Sequence, residues 1–160
     1  MGSDGFLPEA LVLSVKEIDG QHEALFALLE EIKVTCIASN ELPMARAREL
    51  INFLHEHFRT EEDLAAHAGY DFSAHARKHL KMVAAIERGL TEVIEGKQDV
   101  FSVLRYVDYW FERHIVEEDR PLGIFLHQVM PDLHLSPRLD AMSLDTRRRF
   151  RLFRKKKAAH

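Results

Sequence analysis

Seven histidine and acidic residues recur at helical spacing along this chain, and together they could hold metal ions. His57 and Glu61 are four residues apart, as are His75 and His79. Residues four apart on a helix lie one turn above one another, so each pair can present two ligands to one place. The other members lie on the apolar stripes of two further helical segments. The full set is His22, His57, Glu61, His75, His79, His114 and Asp119.

A single pair of this kind is more typical of a solvated helix face than of a metal site. The position of these residues on apolar stripes, with companions on other helices, favours ligands instead. Burying five imidazoles and two carboxylates without partners would cost several kcal/mol per group. Coordination of metal ions would remove that cost, and the cations would balance the negative charge. We therefore interpret the set as one metal cluster in a bundle core.

The composition of this set restricts the metal. Seven ligands are too many for one tetrahedral zinc ion, and they are too rich in nitrogen for calcium or magnesium. Imidazole with carboxylate suits iron, manganese, zinc or copper, and two carboxylates can bridge two metals. The pattern predicts a dinuclear site with fewer oxygen ligands than the carboxylate-rich diiron oxidases have. A metal site with few oxygen donors favours reversible binding of an external molecule over strong oxidation chemistry.

The spacing of His114 and Asp119 is unusual, because five residues separate their directions by about 140° on an ideal α-helix. Either a widened turn of the π type or a long carboxylate reach is needed to bring both to one cluster.

The apolar periodicity predicts four helices that would position these residues. The first starts near Asp19 as N-cap and stops at about residues 39–40, and the second runs from about Pro43 to Gly69. Ser73 should cap the third helix, which ends at about residue 96. Asp99 should cap the fourth helix, which has Trp110 on its inner side. Pro121 should end this helix early. The predicted fold is all-α, an antiparallel up-down-up-down four-helix bundle with a C-terminal basic extension.

Length and composition indicate one soluble domain. The chain has 160 residues, 46% hydrophobic and 30% charged, and Cys36 is its only cysteine, so it can form no intrachain disulfide. We expect a cytoplasmic protein, because we find neither a signal peptide pattern nor an apolar run long enough to span a membrane. The expected division is an N-terminal arm (1–18), the bundle (19–122) and the extension (123–160).

The charge is divided unevenly along the chain. The net charge is −4, yet eight basic residues and one acidic residue lie between 145 and 160. Residues 143–157 could form a basic amphipathic helix with Leu144, Phe150 and Phe153 on its apolar side. Such a helix would bind an anionic membrane surface or an acidic protein partner, with nucleic acid an unlikely ligand. A solvated tail is the alternative, and the oligomeric state is not predicted.

Four short stretches resemble the hemerythrin family, in particular its single-domain bacterial members, over roughly residues 12–122. The first is Asp19-Gly-Gln-His22, and the second is His57-Phe58-Arg-Thr-Glu61-Glu62. The others are His75-Ala-Arg-Lys-His79 and Trp110-Phe-Glu-Arg-His114-Ile115, followed by Asp119.

The resemblance implies two iron ions joined by an oxo or hydroxo bridge. One iron would be held by His75, His79 and His114, and the other by His22 and His57. Both would share Glu61 and Asp119, and dioxygen would bind at an open position on the second iron. Family positions lining the oxygen pocket match Leu25, Phe58, Trp110 and Ile115, which suit ordinary core packing equally well.

The function implied is reversible dioxygen binding for storage, delivery or sensing, and not catalysis. The alternative is a diiron enzyme that reduces peroxide or nitric oxide. A catalyst would need a proton donor near the open iron, and the sequence offers no clear inward Tyr, Glu or Lys beyond the ligands. His55 lies outside the matched pattern, about 200° round the helix from His57, and is expected at the surface.

Overall fold

The computed structural model describes residues 7–131, which form an all-helical bundle without strands in that range. A short 3-10 turn at Glu9–Leu11 precedes the first helix. The predicted all-α architecture is confirmed. The basic segment 143–157 lies outside the described residues, so its binding to an anionic surface or an acidic partner stays a prediction. The helices are α1 (Lys16–Ser39), α2 (Met44–Ala68), α3 (Ser73–Ile94), α4 (Val100–His114) and α5 (Arg120–Val129), with a π-helical turn at Ile115–Asp119 between the last two.

The packing of the helices is that of a four-helix bundle. α1 packs against α2 and α4, and α3 packs against the same two helices. Leu28, Leu54, Ile86 and Val107 are among the buried apolar residues that fill the space between them. No helix within residues 7–131 has the length and apolarity needed to cross a membrane.

Of four helix ends that were predicted from capping residues, two have the predicted cap and two do not. Gly69 adopts the left-handed conformation after α2, and the Asp99 carboxylate accepts a hydrogen bond from the Ser102 amide at the start of α4, as predicted. Asp19 is not an N-cap. The first helix begins three residues earlier, and the Asp19 carboxylate accepts from the Leu13 amide instead. Ser73 does not cap α3 with its hydroxyl, which donates to Asp71.

The prediction that the last helix is cut short at residue 121 is wrong. The chain continues in helical conformation through the π-helical turn and along α5, as far as Val129. Pro121 falls in the first turn of α5, where a missing N–H is tolerated. Leu122 and Leu126 are fully buried, so apolar packing holds this extension on the bundle.

The segment before α1 packs on α5. Leu11, Leu13 and Val15 are buried. The carbonyl of Leu13 accepts a hydrogen bond from His127 Nε2 at 3.1 Å. A Cβ at Gly123 would be 3.4 Å from Leu13 Cβ, which is ordinary van der Waals contact, so α5 lies directly against this segment. These contacts make the N-terminal segment part of the core.

Candidate metal centre

The four helices of the bundle and the π-helical turn after α4 bring all seven predicted residues to one place in the core. His75 and His79 are the most exposed of the seven, at 4%, and the carboxylates of Glu61 and Asp119 are fully buried. The expected convergence is therefore found, whereas the role of each residue as an iron ligand stays a prediction. α1 supplies His22, α2 supplies His57 and Glu61, α3 supplies His75 and His79, α4 ends at His114, and the π-helical turn ends at Asp119.

The π-helical turn explains how His114 and Asp119 reach the same cluster. A turn with hydrogen bonds to the fifth residue places residues five apart above one another, which an α-helix does not. Asp119 Oδ1 lies 3.1 Å from His114 Nε2 as a result. Of the two alternatives that the spacing left open, the structure has the widened turn.

One group of donor atoms, here called the three-histidine set, consists of His75, His79, His114, Glu61 Oε2 and Asp119 Oδ1. The donor atoms of these five residues lie within 4.8 Å of one another. His114 Nε2 is 2.9 Å from His79 Nε2 and 3.2 Å from His75 Nε2. His75 Nε2 is also 3.0 Å from Asp119 Oδ1 and 3.2 Å from Glu61 Oε2. Ligands about 2.1 Å from one ion lie roughly 3.0–3.4 Å apart, so these spacings suit donors to a single metal ion.

The other group, the two-histidine set, consists of His22, His57, Glu61 Oε1 and Asp119 Oδ2. His57 Nε2 lies 2.7 Å from Glu61 Oε1, and His22 Nε2 lies 3.0 Å from Asp119 Oδ2. Each carboxylate therefore turns one oxygen to each set. This set offers four donor atoms within 4.8 Å of one another, one fewer than the three-histidine set.

Metal ions fit this centre because its polar atoms do not satisfy one another. Within residues 7–131, both oxygens of Glu61, both oxygens of Asp119 and the Nε2 atoms of His22 and His57 are buried without a hydrogen-bond donor or acceptor of suitable geometry. In the three-histidine set, ring nitrogens face ring nitrogens. A buried polar group without a partner costs about 1–3 kcal/mol, and more when it is charged. The donor set of imidazoles and carboxylates is therefore that of a metal-binding site.

The histidines of the centre differ in their pKa, because the two carboxylates raise the pKa of some of them and burial lowers the pKa of others. Burial opposes protonation of His22, but the nearby carboxylates of Asp119 and Glu61 outweigh it and raise its pKa to about 9. The pKa of His75 rises to about 9 for the same reason. Burial dominates at His79, whose pKa falls to about 4, and it also lowers the pKa of His57. Two histidines of the metal-free centre thus hold protons at neutral pH, and metal ions must displace them.

The electrostatic environment keeps both carboxylates ionised. Burial raises the pKa of Glu61, but the protonated His22 and His75 beside it outweigh that effect and hold its pKa well below its usual range. Burial and Glu61 both oppose ionisation of Asp119, yet contacts with His114 and His22 lower its pKa. Ionised carboxylates are the form that coordinates metals.

Each imidazole of the three-histidine set has an aromatic ring stacked on it. Phe58 lies on His79 with 3.7 Å between ring centroids and an angle of 9° between the planes. Trp110 lies on His114 at 4.5 Å and 13°, and Phe72 lies on His75 at 4.3 Å and 28°. These stacks fix the orientation of the three imidazoles, so that their Nε2 atoms point to a common position. The contact of Phe72 with His75 was not predicted from the sequence, because Phe72 precedes the periodic part of α3.

His57 is oriented by a hydrogen-bond chain that the sequence did not reveal. Its Nδ1 lies 2.7 Å from Gln21 Oε1, and Gln21 Nε2 donates to Thr60 Oγ1 at 3.0 Å. The Thr60 hydroxyl donates in turn to the carbonyl of Glu56. This chain leaves Gln21 Oε1 as an acceptor for His57, so the His57 proton lies on Nδ1 and its Nε2 lone pair faces the centre.

The residues predicted to line an oxygen pocket have different environments. Leu25 and Ile115 are fully buried, while Phe58 and Trp110 stack on histidines of the three-histidine set. Their role as pocket walls stays a prediction.

Trp110 lies only in part on the inner side of α4, because it packs against the core and on His114 but is only partly buried. The adjacent Phe111 is the more deeply buried residue, at 1% exposed. Phe111 faces the two-histidine set, with ring centroids 5.7 Å from His22 and 6.2 Å from His57. Its spacing, four residues after Val107 and three before His114, was the signal for this position.

His55 is exposed, as predicted.

The fold and the centre together define a class of protein, a four-helix bundle with a buried metal site built from histidines and two shared carboxylates. Residues 13–123 match the Hemerythrin HHE cation binding domain, and the chain belongs to the hemerythrin family. It is similar to a "Hemerythrin-like protein" of Naegleria gruberi and to one of Naegleria fowleri, each 29% identical over 104 residues. In each case the match covers 64% of this chain and 77% of the relative. No solved structure matches the chain significantly.

Proposed function

We propose that this chain holds two iron ions, one in each donor set. Dioxygen would bind reversibly to the ion of the two-histidine set, on the side that faces the apolar core. The three-histidine set would hold one ion and the two-histidine set the other, with Glu61 and Asp119 bridging them and an oxo or hydroxo group as a third bridge. The protein would store, deliver or sense oxygen and would not be an enzyme. Iron suits a donor set of five imidazoles and two carboxylates, and membership of a cation-binding family supports it.

The observation that carries the proposal is the unequal number of donor atoms in the two sets. An octahedral ion in the three-histidine set would have five protein donors, and a bridging oxygen would fill the sixth position. An ion in the two-histidine set would have four protein donors and the same bridge, which leaves one position for an external ligand. When bound, two ferrous ions would supply that open position and the two electrons that reversible dioxygen binding requires.

The surroundings of the two-histidine set favour a small apolar ligand. The ring of Phe111 lies beside both His22 and His57, and Phe26 packs on Phe111 with ring centroids 5.5 Å apart. His22 and His57 are fully buried. Exclusion of water and acid from such a site slows irreversible oxidation of ferrous iron, which supports binding over turnover.

Oxygen uptake by the reduced protein tests the proposal. We expect the iron-loaded, reduced protein to take up about one dioxygen per chain, since only one coordination position is open. A visible absorption band should appear with oxygen and disappear when oxygen is removed, through repeated cycles. A protein that is oxidised once without a reversible band, or that consumes peroxide or nitric oxide catalytically, would contradict reversible binding and support the enzyme alternative.

A further inference from the structure

A groove on the surface of the bundle lies between α3 and α4, and His114 of the three-histidine set is among the residues that line it. Its volume is about 410 Å³. Tyr106, Tyr109 and Trp110 supply an aromatic floor, and the Tyr106 and Tyr109 side chains are 46% and 64% exposed. Three cations, Lys78, Lys81 and Arg113, line the same groove. Trp110 packs in part against the core, but the exposed rings of Tyr106 and Tyr109 are not explained by core packing.

The charges around the groove leave one cation uncompensated. Lys78 pairs with Glu118, and Arg113 pairs with Glu117 at 2.8 Å. Lys81 is exposed and forms no ion pair with any residue between 7 and 131. The groove therefore combines flat apolar surfaces with a positive group that is free to bind an anion.

We propose that this groove binds a planar aromatic anion, such as a flavin or nucleotide with a terminal phosphate. The aromatic rings offer stacking surfaces for a planar ring, and Lys81 offers a charged hydrogen-bond donor for the phosphate. The volume of the groove lies in the range of small-molecule sites. A ligand bound there would contact Trp110, whose ring stacks on His114.

Trp110 allows a direct test, because it is the only tryptophan of the chain. Flavin mononucleotide would be titrated into the full-length protein while Trp110 fluorescence is followed, with ultrafiltration as a second readout of binding. Riboflavin has the same ring without phosphate, and ribose 5-phosphate has the phosphate without the ring. We expect saturable quenching with flavin mononucleotide, weaker binding of riboflavin and no binding of ribose 5-phosphate.

Two variants separate the parts of the site. Lys81→Glu should weaken flavin mononucleotide binding about ten-fold, because it reverses the one uncompensated charge, and should leave riboflavin binding unchanged. Tyr109→Ala should weaken both ligands. Arg48→Glu makes the same change in net charge on α2, away from the groove, and should have no effect. Absence of saturable binding, equal binding by wild type and Lys81→Glu, or binding of an acidic protein in place of the flavin would overturn the proposal.

Discussion

Replacing Glu61 by glutamine should empty both metal positions. Glu61 Oε1 faces His22 and His57, while Oε2 faces His75 and His79, so one carboxylate serves both donor sets. The amide keeps the size of the side chain but removes its charge and turns an N–H₂ group toward one set. Removal of an outer-shell partner typically lowers metal affinity 10–100-fold, and we expect a loss of more than about 100-fold here. Metal content after dialysis against a weak chelator measures it.

Glu62→Gln is the matched control, because Glu62 is the next residue of α2 and is exposed. The same change of charge at that position should leave the metal content unaltered. Loss of metal from both variants, or from neither, would show that the buried carboxylate does not bridge the two sets.

Removal of the metals should lower the free energy of unfolding by about 4 kcal/mol or more, the stabilisation expected when free metal exceeds its dissociation constant about 1,000-fold. Without metal, the bundle retains five histidines and two carboxylates in its core with few suitable partners. Chemical denaturation of the loaded and metal-free protein, followed by circular dichroism, gives the difference. A metal-free protein as stable as the loaded one would contradict the prediction.

The difference in unfolding free energy between the metal-loaded and the metal-free protein should also depend on pH. The folded-state pKa of His22 and of His75 is raised to about 9 from an ordinary value of 6.5. Protonation of these two residues stabilises the metal-free fold fully below about pH 6.5, and this stabilisation is lost as the pH rises through about 9. The metal-loaded protein lacks these protons. The stability gap should therefore widen between pH 6.5 and pH 9, and a gap that narrows would contradict the assignment.

Helical periodicity was sufficient to predict most of the metal centre from the sequence. Pairs four apart, such as His57 with Glu61, can only lie on one face of a helix, and that face was marked by buried leucines on either side. The π-helical turn was one of the two alternatives that the spacing of His114 and Asp119 left open, because these residues cannot share a face of an α-helix. In each case the relevant geometry is contained within one helix.

Features that depend on two elements were not predictable in the same way. The hydrogen bond from Gln21 to Thr60 joins α1 to α2, and no sequence spacing reports it. Phe72 stacks on His75 from a position outside the regular helix. The continuation of the chain as a helix past residue 121 depends on the position of Pro121 in the first turn of α5 and on the packing of Leu122 and Leu126 on the core. Trp110 and Phe111 are adjacent, and only the exact phase of α4 decides which one is buried.

The most direct test of the metal centre is the metal content of the purified full-length protein, measured by elemental analysis together with protein concentration. The two donor sets predict about two iron ions per chain, removed together by chelation and restored together on reconstitution. A content near one metal ion per chain, or a single zinc ion in a closed site with four ligands, would contradict the dinuclear iron centre.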